Sequence, residues 1–493
     1  MTIAASPVNL ATEVKPFNPD QEWPTENSFL QGPYAPWTAE SAAYDLEVIG
    51  ELPTDLQGAL FRTSSNPRFQ PRSFERYHWF EGDGMVAGIY LRDGKAAFRT
   101  SWVKTDSFTF EVERGEAVYN GFVNGGSRGF IPDDAPQRRN VANTNVGVFD
   151  DHLLVYYENG LPYSMHPETL ETLREWDFHG GIDVACTAHF KLDPKSGDML
   201  FFAAVGNVVT WYRANALTGH VTDSHSFDVD IPIFLHDFAV SENYAAFFVT
   251  PTQFRADYVQ QGRPGVVWDE KAVPSTHVML LDRNTHRVTR HELGNTGAPT
   301  HFYNAYELGD DVIVHGHRTA AIGNPTDRLD RPLSGHEFFG PSFAWEWRIN
   351  TRTGGLTERQ LSDVPGDLPK INDLFLGANN RYGYFTTMRD SLVRHDHATD
   401  STQLIAGAEG LVAPSEPVFV PRQNAQAEDD GYLLALWWDP ATRLTDVLIH
   451  DAADPAAAPL ARIKLPARIP AGFHGNWADQ TALDKSVATL RTP

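Results

Sequence analysis

The sequence predicts an all-β protein whose main part is one β-propeller-like domain. Three observations support this prediction: short apolar runs recur along the chain, turn residues separate them, and helical apolar stripes longer than two turns are scarce. A pair of β-sandwiches is the alternative that the same pattern leaves open.

The first 36 residues differ from the rest of the chain. They hold six prolines and almost no periodic apolar pattern. Because proline fixes φ and has no backbone N–H to donate, such a segment favours neither helix nor sheet. We therefore predict an extended N-terminal arm over residues 1–36 and a single propeller domain over residues 37–493.

From about Tyr44 onward, apolar runs alternate with Gly, Pro, Asn or Asp, which is typical of strands joined by tight turns. The predicted strands are Gly88–Tyr90, Leu153–Tyr157, Met199–Ala204, Tyr244–Val249, His277–Leu281, Val312–Val314, Phe343–Ile349, Tyr382–Thr387, Tyr432–Trp437 and Thr445–His450.

A second regularity is a strand followed by a polar turn, in most cases one containing Asp or Asn. Turns of this kind, spaced by tens of residues, are typical of the outer strands of propeller blades. They occur at Met165–Leu170, Leu192–Gly197, Leu281–Thr285 and Ile349–Gly354.

Composition and charge exclude several classes of function. The 64 acidic residues outnumber the 40 basic ones, and the resulting net charge of −24 repels a phosphate backbone, so we expect no nucleic-acid partner. The single cysteine, Cys186, excludes a disulfide framework and a thiolate-rich metal site. With no apolar run long enough to span a bilayer and no signal sequence, we predict a cytoplasmic protein. Peripheral membrane contact and the oligomeric state stay open.

Four of the 19 histidines lie among apolar or small residues, as expected of imidazoles that point into a dry interior. For any one of them alone, an ordinary core histidine is the better interpretation. Four together favour a metal site, because neutral imidazole is a preferred ligand of Fe, Zn and Cu. The four are His189, His236, His301 and His474. No HExxH motif is present, which removes the common metallohydrolase interpretation.

Read in order, the four settings resemble the iron-ligand motifs of the carotenoid cleavage oxygenases. The resemblance extends from about Tyr44 to Trp477 and includes segments without histidine. These are Asn66–Arg68, Phe80–Met85, Val141–Asn145, Glu158–Tyr163, Arg381–Tyr384 and Glu428–Tyr432.

The resemblance implies a seven-bladed propeller with a dome of loops and helices over an axial metal site. It implies one Fe(II) per chain, held by the four histidines, and a carboxylate beside three of them: Glu158 for His236, Asp367 for His301 and Glu416 for His474. Asp367 departs from the family pattern, which generally has the longer Glu. Either the backbone moves inward there or a water bridges the gap.

The implied activity is that of a non-heme Fe(II) dioxygenase that uses O2 to cleave a conjugated C=C bond of an apolar small molecule into two carbonyl products. A retinoid-type isomerase and a metal-free interaction platform are less favoured alternatives. We favour a carotenoid or apocarotenoid substrate over a stilbene or phenylpropenoid, because Tyr157 stands where the phenolic branch commonly has Lys. Tyr157, Thr300 and Phe302 are the candidate substrate-pocket residues.

Overall fold

The computed structural model describes residue 23 and residues 26–125, 131–329, 333 and 335–490. Over these residues, seven sheets of four or five strands form the blades of a propeller, and a three-stranded sheet lies outside them. The all-β prediction is therefore confirmed, and the alternative of two β-sandwiches is wrong.

Each blade is numbered by the position of its second strand along the chain. The strands, in their order across each sheet, are Gly475–Asp479, Gly58–Ser65, Gly84–Arg92, Lys95–Trp102 and Ala42–Ala43 in blade 1; Asn145–Phe149, His152–Tyr156, Tyr163–Met165 and Thr172–Glu175 in blade 2; Lys191–Leu192, Met199–Val205, Val208–Ala214 and Val221–Asp228 in blade 3; Ala239–Val240, Tyr244–Val249, His277–Asp282 and Val288–Glu292 in blade 4; Ala298–Leu308, Asp311–Thr319, Phe343–Asn350 and Leu356–Gln360 in blade 5; Asp367–Lys370, Tyr382–Thr386, Ser391–Asp396 and Ser401–Ala406 in blade 6; and Val418–Pro421, Gly431–Asp439, Leu444–Asp451, Ala461–Lys464 and Val48–Gly50 in blade 7.

Blades 1 and 7 each combine strands from both ends of the chain. In blade 1 the late strand Gly475–Asp479 pairs antiparallel with Gly58–Ser65, with Leu60 opposite Trp477. In blade 7 the early strand Val48–Gly50 pairs with Ala461–Lys464. Backbone hydrogen bonds between early and late segments thus tie the first and last blades together.

Burial along a strand depends on its place in the blade. In the second strand of blade 4, Tyr244–Val249, every residue after the first is buried, whereas the outermost strand of blade 3, Val221–Asp228, alternates between half-buried and exposed residues. Strands covered on both faces need apolar residues throughout, and an outer strand needs them on one face only. This explains why continuous apolar runs predicted the central strands.

The polar turns found in the sequence share one hydrogen-bond pattern. The first polar side chain of each turn accepts the backbone N–H groups two and three residues later, as Asp282 does from Asn284 and Thr285. His166, Asp193 and Asn350 do the same. Three of the four turns join outer strands as predicted, but the turn at Asp193 joins the first two strands of blade 3.

Outside the blades, the described residues form four α-helices. The first begins after Thr105, whose Oγ1 accepts the N–H of Phe108 at 3.1 Å, and ends at Gly115 with φ +76°. The helices are Asp106–Arg114, Ala256–Gln260, Gly335–Phe339 and Gln480–Leu490. Within the described ranges, no helix has both the length and the apolarity needed to cross a bilayer.

The predicted N-terminal arm falls largely on residues 1–22, 24 and 25, which lie outside the described residues. Its described part contains two 3-10 turns, Ser28–Leu30 and Gly32–Tyr34, and Leu30 is buried. The division of the chain at residue 36 stays a prediction.

Candidate metal centre

The four predicted ligand histidines lie at the first strands of four different blades. One lies within such a strand, and the other three come shortly before one. They are His189 in blade 3, His236 in blade 4, His301 in blade 5 and His474 in blade 1. One nitrogen of each ring lies within 4.8 Å of the others, so these strand edges face a common axis.

The spacing of the ring nitrogens fits a metal ion. Nε2 of His236 lies 3.0 Å from Nε2 of His189 and 3.0 Å from Nε2 of His301. Two nitrogens bound at right angles to one metal, each at about 2.1 Å, lie about 3.0 Å apart. Among the described residues, no other set of three or more His, Cys, Asp or Glu side chains offers ligand atoms this close together.

The opposite ring nitrogens explain why Nε2 is left to bind a metal. In three of the four rings Nδ1 contacts a carboxylate, which accepts the Nδ1–H of a neutral imidazole. Nε2 then carries a lone pair, and lone pairs that face each other at 3.0 Å repel unless a cation lies between them. The donor set therefore fits a divalent metal with nitrogen ligands.

His474 is held by the most deeply buried carboxylate of the centre. Its Nδ1 lies 2.7 Å from Glu416 Oε1, and Glu416 Oε2 accepts the N–H of Gly475 at 2.9 Å. Buried Arg62 donates to the carbonyl oxygens of Glu416 and Phe473 at 2.9 and 2.8 Å, which fixes both segments. Burial alone would raise the pKa of Glu416, but Lys370 and His474 lower it to about 2. Glu416 is therefore an ionised acceptor.

The shorter acid contacts its histidine directly. Asp367 Oδ1 lies 2.9 Å from His301 Nδ1, so no water is needed between them. The backbone conformation compensates for a side chain that is one methylene shorter than Glu. The strand pairing shifts between Asp367 and Lys370, and Leu368 has φ +59°. Burial alone would raise the pKa of Asp367, but His301 holds it below its ordinary value.

Glu158 reaches the centre because a strand ends before it. The second strand of blade 2 stops at Tyr156, and Gly160 N–H donates to Tyr157 O at 3.2 Å in the turn that follows. Tyr157 and Glu158 therefore no longer alternate, and both line one cavity. Glu158 Oε1 contacts His236 Nδ1. Burial alone would lower the pKa of His236, but Glu158 raises it above its ordinary value.

The fourth histidine has a neighbouring carboxylate that the sequence did not predict. Nδ1 of His189 lies 3.8 Å from Asp237 Oδ1, beyond hydrogen-bond distance. Asp237 is buried, contacts Lys191 Nζ at 2.9 Å and accepts the N–H of Phe302 at 2.8 Å. Its position directly after His236 was the only signal in the sequence.

A cavity of about 670 Å³ adjoins His236 and His301. This volume suits a drug-sized apolar ligand. Aromatic side chains from the segments outside the blades cover the cavity, together with the described end of the N-terminal segment. They are Phe29, Tyr34, Trp79, Phe80, Phe122, Phe234, Phe339 and Phe473.

The three candidate pocket residues have different positions. Tyr157 and Thr300 line the cavity, whereas Phe302 does not. The pairing of its strand is irregular on both sides of Phe302, and the ring packs in the blade core against Phe248 at 5.0 Å and Trp347 at 6.0 Å. In the structure Phe302 therefore belongs to the blade core and not to the wall of this cavity.

Comparison with known proteins agrees with this architecture. The family model described as retinal pigment epithelial membrane protein matches residues 34–479. The isoeugenol monooxygenase of Pseudomonas nitroreducens is 29% identical over 483 residues, which cover 91% of this chain and 97% of that protein. The carotenoid 9,10(9',10')-cleavage dioxygenase 1 of Arabidopsis thaliana is 31% identical over 508 residues, which cover 93% of this chain and 91% of that protein.

Two solved structures share the fold over nearly their whole length. The lignostilbene dioxygenase of Pseudomonas brassicacearum superposes with a TM-score of 0.83 at 26% identity, covering 92% of this chain and 99% of that chain. A variant of the Synechocystis apocarotenoid oxygenase superposes with a TM-score of 0.81 at 24% identity, covering 91% of this chain and 98% of that chain.

Proposed function

The chain belongs to the RPE65/carotenoid cleavage oxygenase family, and from that premise we propose that it is a non-heme Fe(II) dioxygenase with one iron per chain. The proposed reaction cleaves a conjugated C=C bond of a carotenoid or apocarotenoid. One oxygen atom of O2 goes to each carbon, so that two carbonyl products form.

The convergence of four imidazole nitrogens beside an apolar cavity is the observation that carries this proposal. His189, His236, His301 and His474 would hold the iron. Fe(II) held by neutral nitrogen ligands retains its charge and supplies the redox chemistry that ground-state O2 requires.

The protein contributes orientation and a dry site. Glu158, Asp367 and Glu416 accept the Nδ1–H groups and so fix which nitrogen of three rings points to the axis. The aromatic lining binds a flat conjugated chain and excludes water from the reacting carbons.

A stilbene or phenylpropenoid is the second candidate substrate. Tyr157 is compatible with such a substrate, because this residue lines the cavity and burial raises the pKa of its hydroxyl to about 12, so the hydroxyl stays protonated and can hydrogen-bond a phenol. The named activities of the isoeugenol and lignostilbene relatives also support it. We favour the polyene, since the cation that commonly binds a phenolate is replaced here by a neutral tyrosine.

A side-by-side assay of iron-loaded protein tests the proposal. An apocarotenal and resveratrol are supplied separately under ¹⁸O2, and polyene bleaching, aromatic aldehyde release and label in the products are measured. We expect the apocarotenal to be cleaved with label in both products. Aromatic aldehyde release with an inert apocarotenal would make the second candidate correct, and inertness toward both would reject the activity.

We also propose a cytoplasmic location, with peripheral contact to a membrane as the route by which an apolar substrate reaches the cavity. The single cysteine, which leaves no intramolecular disulfide, supports the location. Fractionation of cells that express the chain tests it: recovery only from a periplasmic or secreted fraction would contradict it.

A further inference from the structure

Charge is distributed unevenly along the wall of the 670 Å³ cavity. The two carboxylates that line it, Glu158 and Asp367, both contact imidazoles of the metal centre. Among the described lining residues, Arg389 alone carries a cationic side chain. It is exposed, and no acidic group of the described residues lies within ion-pair distance of its guanidinium.

The backbone around Arg389 is held in place although the side chain is not. Arg389 follows the second strand of blade 6, Tyr382–Thr386, in a turn. Thr387 Oγ1 accepts the N–H of Arg389 at 3.3 Å, and Arg389 O accepts the N–H of Ala413 at 2.7 Å. Both polar backbone atoms of Arg389 are thus engaged, so the backbone that carries the cation is held in place at the cavity wall.

Blade 6 relates this point to the metal centre. Thr386 pairs with Asp367, the acceptor for His301, and Arg389 comes three residues later. Three residues span at most about 11 Å. Arg389 therefore lies on the same blade as Asp367, and it is exposed whereas Asp367 is buried. A ligand that contacts both ends of this wall needs an apolar body and an anionic end group.

We propose, building on the proposed function, that Arg389 binds a terminal carboxylate of the substrate and that the protein prefers conjugated acids over the corresponding neutral compounds. A guanidinium matches a carboxylate with two parallel N–H···O hydrogen bonds. The net charge of −24 repels an anionic ligand from most of the protein. The Arg389 guanidinium, which has no acidic partner among the described residues, offsets this repulsion at one point of the cavity wall.

Binding without turnover tests the inference separately from the activity. Retinoic acid and its methyl ester are titrated under argon into the iron-loaded protein, and quenching of tryptophan fluorescence is followed, since Trp79 lines the cavity. We expect the acid to bind roughly 5- to 20-fold more tightly than the ester, with a preference that shrinks at high salt. In Arg389→Gln the affinity for the acid should fall by roughly the same 5- to 20-fold, and the affinity for the ester by less than about twofold. Arg389→Lys should keep part of the preference for the acid.

Arg352→Gln is the matched control. Arg352 is also an exposed arginine next to a blade strand, but it pairs with Asp310 and lies outside the cavity. Equal affinity of wild type for acid and ester, or an unchanged preference in Arg389→Gln, would overturn the inference. The proposed activity is measured separately, as cleavage of either compound by the wild-type protein in air. Cleavage without a binding preference for the acid would support the activity and contradict the role of Arg389. A binding preference without cleavage would support the role of Arg389 and contradict the activity.

Discussion

The described residues of this propeller include two groups of four buried or half-buried histidines, and the ring nitrogens converge as around a metal ion in one of them. The axial group consists of His189, His236, His301 and His474. The second group lies between blades 5 and 6 and consists of His315, His317, His395 and His397. Number and burial of histidines are similar in both, so another property separates them.

In the second group the rings pack against one another, and their nitrogens do not point to a common centre. The rings of His315 and His397 stack at 4.0 Å with 24° between their planes. His317 contacts Gly366 O and the Tyr303 hydroxyl, each at 2.7 Å, and His395 Nδ1 contacts Thr402 Oγ1 at 3.0 Å. Neither nitrogen of His397 has a hydrogen-bond partner among the described residues.

The difference lies in what holds Nδ1. In the axial group a carboxylate accepts Nδ1–H from three of the four rings, which fixes the tautomer and turns Nε2 toward the axis. In the second group a backbone carbonyl holds Nδ1 of His317 and a hydroxyl holds Nδ1 of His395, while Nδ1 of His315 and of His397 has no hydrogen-bond partner among the described residues. The carboxylates near this group lie at Nε2, the nitrogen that would otherwise be left for a metal. Paired carboxylates, more than buried imidazoles, therefore mark the metal centre.

Removing one ring from each group should show the difference between the two groups most clearly. His301→Ala should lose the bound metal and reduce turnover by more than the roughly 100-fold that a missing carboxylate neighbour costs. His397→Ala should keep one metal per chain and near-normal turnover. Metal analysis and initial rates of the two purified variants check this, and stoichiometric metal in His301→Ala would remove that residue from the centre.

Removing a carboxylate should have a smaller effect than removing a ring. Glu416→Gln and Asp367→Asn should each lower metal affinity or turnover by roughly 10- to 100-fold. Glu416→Gln should be the more severe change, because Glu416 also holds the N–H of Gly475. Asp367→Glu should lower activity too, since the backbone at Leu368 already brings the shorter side chain within 2.9 Å.

Apparent metal dissociation constants from chelator competition measure these effects, with circular dichroism as the control for folding. Full metal affinity in Asp367→Asn would mean that the direct contact does not orient His301.

In the second group, loss of a hydrogen bond should affect stability alone. Tyr303→Phe leaves Nε2 of buried His317 without the hydroxyl that contacts it at 2.7 Å. The free energy of unfolding should fall by about 1 to 3 kcal/mol, with metal content unchanged. Urea unfolding checks the first expectation and metal analysis the second; loss of metal would connect the two groups.

The pH dependence of stability should show the smallest effect. Burial lowers the pKa values of His317 and His395 to about 4, against an ordinary value of 6.5. The unfolded chain binds these protons first, so their contribution is complete above about pH 6.5 and is lost as the pH falls toward 4. Each ring contributes a slope of at most about 1.4 kcal/mol per pH unit. His395→Gln should therefore flatten the fall of Tm between pH 6.5 and 5, and an unchanged slope would contradict the assignment.

Local chemistry made much of this molecule predictable from its sequence. Apolar runs marked the central strands because both faces of those strands are covered, and polar turns marked hairpins because their first side chain accepts nearby backbone N–H groups. The family resemblance supplied the pairing of acids with histidines, which the contacts of Glu158, Asp367 and Glu416 match.

Features that depend on how strands and blades pair were not predictable. The irregular pairing at Phe302 and the left-handed Leu368 arise where a strand pairs with the next one along the chain. The contact of Asp237 with Lys191 forms only when blades 3 and 4 lie side by side. Arg62 gave no sequence signal either, since its partners Glu416 and Phe473 lie more than 350 residues away.

The most direct test of the axial metal centre is iron analysis with X-ray absorption on the wild-type protein, set beside His301→Ala and His397→Ala. We predict one iron per chain with a nitrogen shell at about 2.1 Å in wild type and in His397→Ala, and loss of both in His301→Ala. Absence of stoichiometric iron from wild type, or equal loss in both variants, would contradict the account.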